Sequence, residues 1–103
     1  MSEVSIEQLA VALDEGAVVV DVREADEWAD GHIAGTRLLP VSEFQGRWRE
    51  IPRDVGTVYI VCAVGARSGR VAEVLRKAGF HAVNVTGGTK AWAEDGRPLV
   101  PGP

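Results

Sequence analysis

The stretch that decides the fold reads Val58-Tyr59-Ile60-Val61-Cys62-Ala63-Val64-Gly65-Ala66-Arg67-Ser68. Its first four residues are β-branched or aromatic, a run typical of a buried parallel strand. Apolar residues then recur at helical spacing, at Val71, Val74, Leu75 and Ala78. We expect Ser68 to be the N-cap of this helix. The only cysteine therefore lies at the carboxyl end of a predicted strand, where open α/β sheets bind their ligands.

The loop after Cys62 consists mainly of small residues, which let backbone N–H groups turn towards one point. Those groups, the following helix N-terminus and Arg67 would together stabilise an anion. A lone cysteine is more often an inert core residue, but this position favours a reactive thiolate with a lowered pKa. We therefore predict that Cys62 is the catalytic nucleophile. The residues expected to bind its substrate are Ala63, Val64, Gly65, Ala66, Arg67 and Ser68.

Helix and strand signals alternate along the rest of the chain. Ser5 and Gln8 form a predicted capping box for a helix that ends at Gly16. Strands are predicted around Val4 and over Ala17–Val22, Thr36–Leu39 and Ala82–Val85. Further helices are predicted over Glu24–Asp30, from a second capping box at Ser42 and Gln45 to Glu50, and after Gly87-Gly88. This alternation predicts a parallel sheet with helices on both faces.

Composition limits the class of protein. The chain has 103 residues, of which 46% are hydrophobic and 25% charged, and it fits one domain over 1–103. A net charge of −4 without a basic stretch disfavours nucleic-acid binding. We expect a cytoplasmic protein, because the sequence shows neither a membrane-spanning run nor a signal-peptide pattern. One cysteine and two histidines do not make a zinc cluster, so we expect no metal. The tail from about Pro98 is expected to be loosely held.

Four short motifs follow one another along the chain. They are Asp21-Val22-Arg23-Glu24, Gly31-His32-Ile33-Ala34-Gly35, Cys62-x-x-Gly65-x-Arg67-Ser68 and Val85-Thr86-Gly87-Gly88-Thr89-Lys90-Ala91-Trp92. In this order they resemble the rhodanese family of sulfurtransferases. The resemblance implies a three-layer α/β/α fold with a five-stranded parallel sheet in the order 3-2-4-5-1. It implies a single small domain, and we expect no cofactor.

The resemblance also implies a chemistry. Such an enzyme moves sulfane sulfur from a donor to an external acceptor, such as a thiol or cyanide, through a persulfide on Cys62. The donor is thiosulfate or a persulfide carried by a small molecule or a protein. Arg67 is the only charged residue in the loop, so a strongly anionic donor such as thiosulfate gains little from the other side chains. A persulfide donor is at least as favourable.

Three polar residues of the first two motifs are expected to border the site. Asp21 and Arg23 end a predicted strand, and we expect them to pair with neighbouring groups and fix a loop. His32 is expected to hydrogen-bond within a loop rather than to act as an acid or base. The acidic residues interpreted as a solvated face are Glu24, Asp26, Glu27 and Asp30.

Two other classes of function stay open. A regulatory or binding module could use the same fold, although the retained Cys62 and its loop count against this reading. A phosphatase or arsenate reductase is less favoured, because those relatives have one more residue between cysteine and arginine. Here four residues, Ala63 to Ala66, separate Cys62 from Arg67. The oligomeric state is not predicted.

Overall fold

A computed structural model describes residues 2–102 of the chain. One sheet contains five strands: β1 (Glu3–Val4), β2 (Val18–Asp21), β3 (Arg37–Leu38), β4 (Thr57–Val61) and β5 (His81–Val85). Their order is β1-β5-β4-β2-β3, and every neighbouring pair is parallel. This is the predicted order read from the opposite edge of the sheet. The predicted five-stranded parallel sheet is therefore confirmed.

The connections between strands contain the helices. They are α1 (Ile6–Asp14), α2 (Ala25–Asp30), α3 (Phe44–Arg47), α4 (Ala66–Lys77) and α5 (Gly88–Glu94). Helix α1 begins with the predicted capping box. The Gln8 N–H donates to the Ser5 hydroxyl at 3.1 Å, and the Ser5 N–H donates to Gln8 Oε1 at 2.8 Å. These bonds satisfy N–H groups that the start of a helix otherwise leaves unpaired.

The two faces of the sheet are buried in separate cores. On one face, Val20 and Ile60 pack with residues of α4, and the segment around α3 covers the same side. On the other face, Val19, Val61 and Val85 pack with residues of α1 and α5. Side chains alternate between the faces along each strand, so burial of both faces explains why the central strands are mainly apolar. The predicted three-layer α/β/α architecture is confirmed.

The segment predicted as one helix from Ser42 to Glu50 is different in the structure. Two short 3₁₀ turns, Val41–Glu43 and Trp48–Glu50, flank the single turn of α3. The predicted capping box at Ser42 is wrong, because its hydroxyl instead donates to Glu24 Oε1 at 2.6 Å. The aromatic side chains Phe44 and Trp48 still pack against the core, as their spacing predicted.

Residues 98–102 are docked onto the domain. His32 and Val100 exchange two backbone hydrogen bonds of 2.9 and 2.8 Å, and the Gly102 N–H donates to the Ala29 carbonyl at 3.0 Å. These bonds contradict the expectation of a loosely held tail over 98–102. The proline and glycine content suggested a loose segment. The residues that bind the tail, Ala29 and His32, are distant in sequence, so the local pattern did not reveal them.

Within residues 2–102, no helix combines the length and the apolar character needed to cross a membrane. The expectations of a cytoplasmic location and of a single domain over 1–103 stay predictions.

Candidate active site

Cys62 follows directly after β4, whose neighbours in the sheet are β2 and β5. The register pairs Val61 of β4 with Asp21 of β2, and the Val22 N–H donates to the Val61 carbonyl at 3.0 Å. The carboxyl ends of both strands therefore meet at one edge of the sheet, as predicted. The Cys62 side chain is fully buried beneath the loop that leads to α4.

Three groups of the loop and the following helix point at the cysteine sulfur. The Gly65 N–H lies 3.1 Å from Cys62 Sγ, the Ser68 N–H 3.4 Å and the Ser68 hydroxyl 3.2 Å. Donors already aimed at one atom stabilise negative charge there without further reorganisation. The convergence of N–H groups expected from the small loop residues is therefore present.

The start of helix α4 differs from the prediction. The N-cap is Gly65, with a φ of +106°, and the first helical residue is Ala66. This left-handed conformation is one that glycine adopts without a steric penalty. Ser68, the predicted N-cap, lies in the first turn, where it is buried and turned towards Cys62. Arg67 is consequently a helix residue and not the last residue of the loop.

Two opposing influences act on the pKa of Cys62. Burial is the largest and raises the pKa, because it disfavours the charged thiolate. Hydrogen bonds from the Ser68 hydroxyl and from the N–H groups of Ser68, Gly65 and Val64 lower it. The hydrogen bonds prevail, and the pKa of Cys62 lies below its ordinary value. This agrees with the predicted direction, although the groups responsible are those of the loop and Ser68.

Asn84 of β5 also reaches the site, and the sequence interpretation missed it. The Ser68 hydroxyl lies 2.5 Å from Asn84 Oδ1. Asn84 Nδ2 donates to the Gly65 carbonyl at 3.1 Å and to Glu3 Oε1 at 3.0 Å. A hydroxyl has one proton, so Ser68 donates either to Asn84 or to Cys62. The signal in the sequence was a polar residue within an otherwise apolar strand.

The N-terminus of α5 holds the backbone of the cysteine loop. The Thr89 N–H donates to the Cys62 carbonyl at 2.9 Å, and the Lys90 N–H donates to the Ala63 carbonyl at 3.0 Å. A Cβ atom at Gly88 would lie 2.2 Å from the Cys62 carbonyl oxygen, which is far inside contact distance. Glycine at this position therefore allows the two backbones to approach.

Arg67 forms an ion pair with Glu27 of α2. Its two terminal nitrogens donate to the two carboxylate oxygens at 2.7 and 2.9 Å. These hydrogen bonds lower the pKa of Glu27 to about 2. The interpretation of the acidic residues as a solvated face is wrong for Glu27, because its carboxylate is bound across the site.

Asp21 and Arg23 form a second, buried ion pair at 2.9 Å. Arg23 also donates to the Gly31 carbonyl at 2.8 Å and to the Glu27 carbonyl at 3.4 Å. These bonds reach the middle of α2 and Gly31, the residue that caps its end. That the pair fixes a loop at the border of the site stays a prediction.

His32 follows the end of α2 and contacts Trp28 of that helix. Its ring stacks on Trp28 with the ring centroids 3.6 Å apart. Its Nδ1 lies 3.0 Å from the Trp28 carbonyl oxygen. Both contacts lie at the turn that follows α2, and the role of His32 as a hydrogen bonder that fixes this loop stays a prediction.

Comparison with known proteins agrees with this architecture. The family described as Rhodanese-like domain matches residues 5–95. A Bacillus subtilis protein named Uncharacterized protein YqhL is 44% identical over 77 residues, and the match covers 74% of this chain but 60% of that protein. A protein of Allochromatium vinosum named Sulfurtransferase is 37% identical over 103 residues, covering 97% of this chain and 95% of that protein.

A solved structure shows the same fold along almost the whole chain. The crystal structure of a rhodanese-related protein from Thermoplasma volcanium matches with a TM-score of 0.89 and 33% sequence identity. The match covers 97% of this chain and 98% of that one.

Proposed function

Since this chain belongs to the rhodanese-like domain family, we propose that it is a sulfurtransferase that carries sulfane sulfur on Cys62. A relative that matches it over nearly the whole length is named Sulfurtransferase, which supports sulfur transfer at a general level. One observation supports Cys62 Sγ as the reacting atom. Cys62 Sγ lies within hydrogen-bonding distance of the Gly65 N–H, the Ser68 N–H and the Ser68 hydroxyl.

The first half of the reaction loads the cysteine. The Cys62 thiolate attacks the sulfane sulfur of the donor, and the bond between that sulfur and the rest of the donor breaks. The leaving group is sulfite when the donor is thiosulfate, and a thiolate when the donor is a persulfide. The product is a Cys62 persulfide, whose outer sulfur carries the negative charge.

The second half returns the enzyme to its starting state. An external nucleophile, a thiolate or cyanide, attacks the outer sulfur, and the Cys62 thiolate leaves. Both resting states are anionic, and the N–H groups of the loop stabilise both without a general base. Ser68 adds a hydroxyl donor, and Arg67 lies beside it in the first turn of α4.

The mass of the intact protein after exposure to thiosulfate or to an alkyl persulfide tests the proposal. We expect a gain of one sulfur atom that disappears on addition of dithiothreitol. Cys62→Ser should abolish the gain and all sulfur transfer to cyanide, since the chain has no second thiol. A circular-dichroism spectrum would show that the variant is folded. Retained turnover in Cys62→Ser would overturn the proposal.

A further inference from the structure

The carboxylate of Glu27 binds the guanidinium of Arg67 in the way that a substrate anion would. The two terminal nitrogens of Arg67 face the two carboxylate oxygens of Glu27, at 2.7 and 2.9 Å. Arginine binds sulfonates, phosphates and carboxylates through the same bidentate arrangement. The guanidinium is therefore already engaged by an oxyanion that belongs to the protein.

Arg67 lies in the first turn of α4, directly after the cysteine loop, and the charge of Cys62 acts on its guanidinium. The pKa of Arg67 is raised first by its hydrogen bonds to Glu27, against the effect of burial. The negative charges of Glu27, Cys62 and Asp21 raise it further. Arg67 is the only charged residue between Cys62 and Ser68. It is thus the cation within this stretch that could bind the sulfonate of a donor.

We propose that Glu27 is a positioning residue that sets donor specificity by withholding Arg67 from oxyanionic donors. This inference rests on the sulfur transfer proposed above. While Arg67 is paired, the sulfonate of thiosulfate lacks its bidentate partner. The favoured substrate class is a persulfide whose charge is confined to its sulfur atoms.

Transfer from such a persulfide leaves no sulfonate group to be held. The Cys62 thiolate attacks the terminal sulfur of the donor, and the donor's S–S bond breaks. The electron pair of that bond leaves with the donor's inner sulfur, which takes up the proton of the former persulfide. The products are a Cys62 persulfide anion and a free thiol, and no external oxidant or reductant is consumed.

Glu27→Gln separates the charge of this side chain from its shape. The amide keeps an oxygen that can accept from the Glu24 N–H, a bond of 2.9 Å at the start of α2. The rate constant for loading one sulfur onto Cys62 is measured by intact mass, with thiosulfate and with the persulfide of N-acetylcysteine methyl ester. We expect the thiosulfate constant to rise about tenfold as Arg67 becomes available, and the persulfide constant to change less than about twofold.

Two further variants isolate the cause. Asp26→Asn removes one negative charge from an exposed position of the same helix, and we expect both rate constants to stay unchanged. The double variant Glu27→Gln/Arg67→Ala should lose the gain with thiosulfate, because the gain requires the released guanidinium.

The outcomes distinguish this inference from the function on which it rests. If the persulfide loads the wild type but Glu27→Gln leaves the ratio of the two constants unchanged, the inference is wrong and the sulfurtransferase proposal stands. Equal losses with both donors would assign Glu27 a purely structural role and also overturn the inference. If neither donor loads the wild type, both proposals fall.

Discussion

Two arginine–carboxylate pairs flank the cysteine loop, and they differ chiefly in burial. The Asp21–Arg23 pair, 2.9 Å long, has side chains that are 0% and 7% exposed. The Glu27–Arg67 pair, 2.7 Å long, has side chains that are 33% and 36% exposed. Breaking a buried pair leaves an uncompensated charge in the interior, whereas water solvates the members of a broken surface pair. We therefore expect the Asp21–Arg23 pair to be needed for stability, and the Glu27–Arg67 pair to be breakable at little cost in stability.

The buried pair also supports the exposed one. Arg23 binds the carbonyl groups of Glu27 and Gly31, so it holds the backbone of α2. That backbone in turn presents the Glu27 carboxylate to Arg67. The two pairs therefore have different roles. Arg23 positions the backbone of α2, whereas Glu27 on α2 binds the guanidinium of Arg67.

Loss of the buried carboxylate should have the largest effect on stability. Asp21→Ala leaves the Arg23 guanidinium buried without its ion-pair partner, and we expect the free energy of unfolding to fall by about 3–5 kcal/mol. Urea denaturation followed by circular dichroism measures this change. Asp26→Ala, at an exposed carboxylate of α2, is the control and should unfold at nearly the wild-type urea concentration. A loss below about 1 kcal/mol in Asp21→Ala would remove the distinction between the two pairs.

Arg67→Ala should have a much smaller effect on the same measurement. Its pair with Glu27 is about one third exposed, so we expect a loss of about 1 kcal/mol or less. The variant should keep its fold, which makes its sulfur-loading rates interpretable. A destabilisation as large as that of Asp21→Ala would show that the exposed pair is also structural.

The smallest expected effect is a dependence of stability on pH. The hydrogen bonds from Arg67 lower the pKa of folded Glu27 from its ordinary 4.5 to about 2. The pair therefore contributes its full stability above pH 4.5 and loses it as the pH falls towards 2. Urea midpoints of the wild type and Glu27→Gln should converge over this interval, and added salt should reduce their difference. A difference that stays constant with pH would contradict this assignment.

The sequence predicted those features whose signals are local. The run Val58–Val61 directly precedes Cys62, so the cysteine could be placed at the end of a strand. Asp21 and Arg23 were expected to pair with neighbouring groups, and in the structure they pair with each other, two residues apart. The order of the strands came from the resemblance of four motifs, since helix and strand patterns do not specify which strands are neighbours.

The features that were missed depend on residues that are distant in sequence. Arg67 and Glu27 lie 40 positions apart, and the hydroxyl of Ser68 in α4 lies beside Asn84 of β5. The Ser42 pattern failed for a similar reason, since Glu24 competes for its hydroxyl. The start of α4 was missed for a local reason, since Gly65, with a φ of +106°, is the N-cap in place of Ser68.

The contact between α5 and the cysteine loop gives the molecule two built-in spectroscopic reporters. The N–H groups of Thr89 and Lys90 are bonded to the carbonyl oxygens of Cys62 and Ala63. The chemical shift of an amide proton depends on the length of its hydrogen bond, so these two resonances respond to small displacements of the loop backbone. Both protons lie in a helix outside the loop and require no label on the sulfur. The amide resonances of Thr89 and Lys90 should therefore shift when Cys62 is loaded with sulfur, and an NMR titration can follow these shifts during turnover.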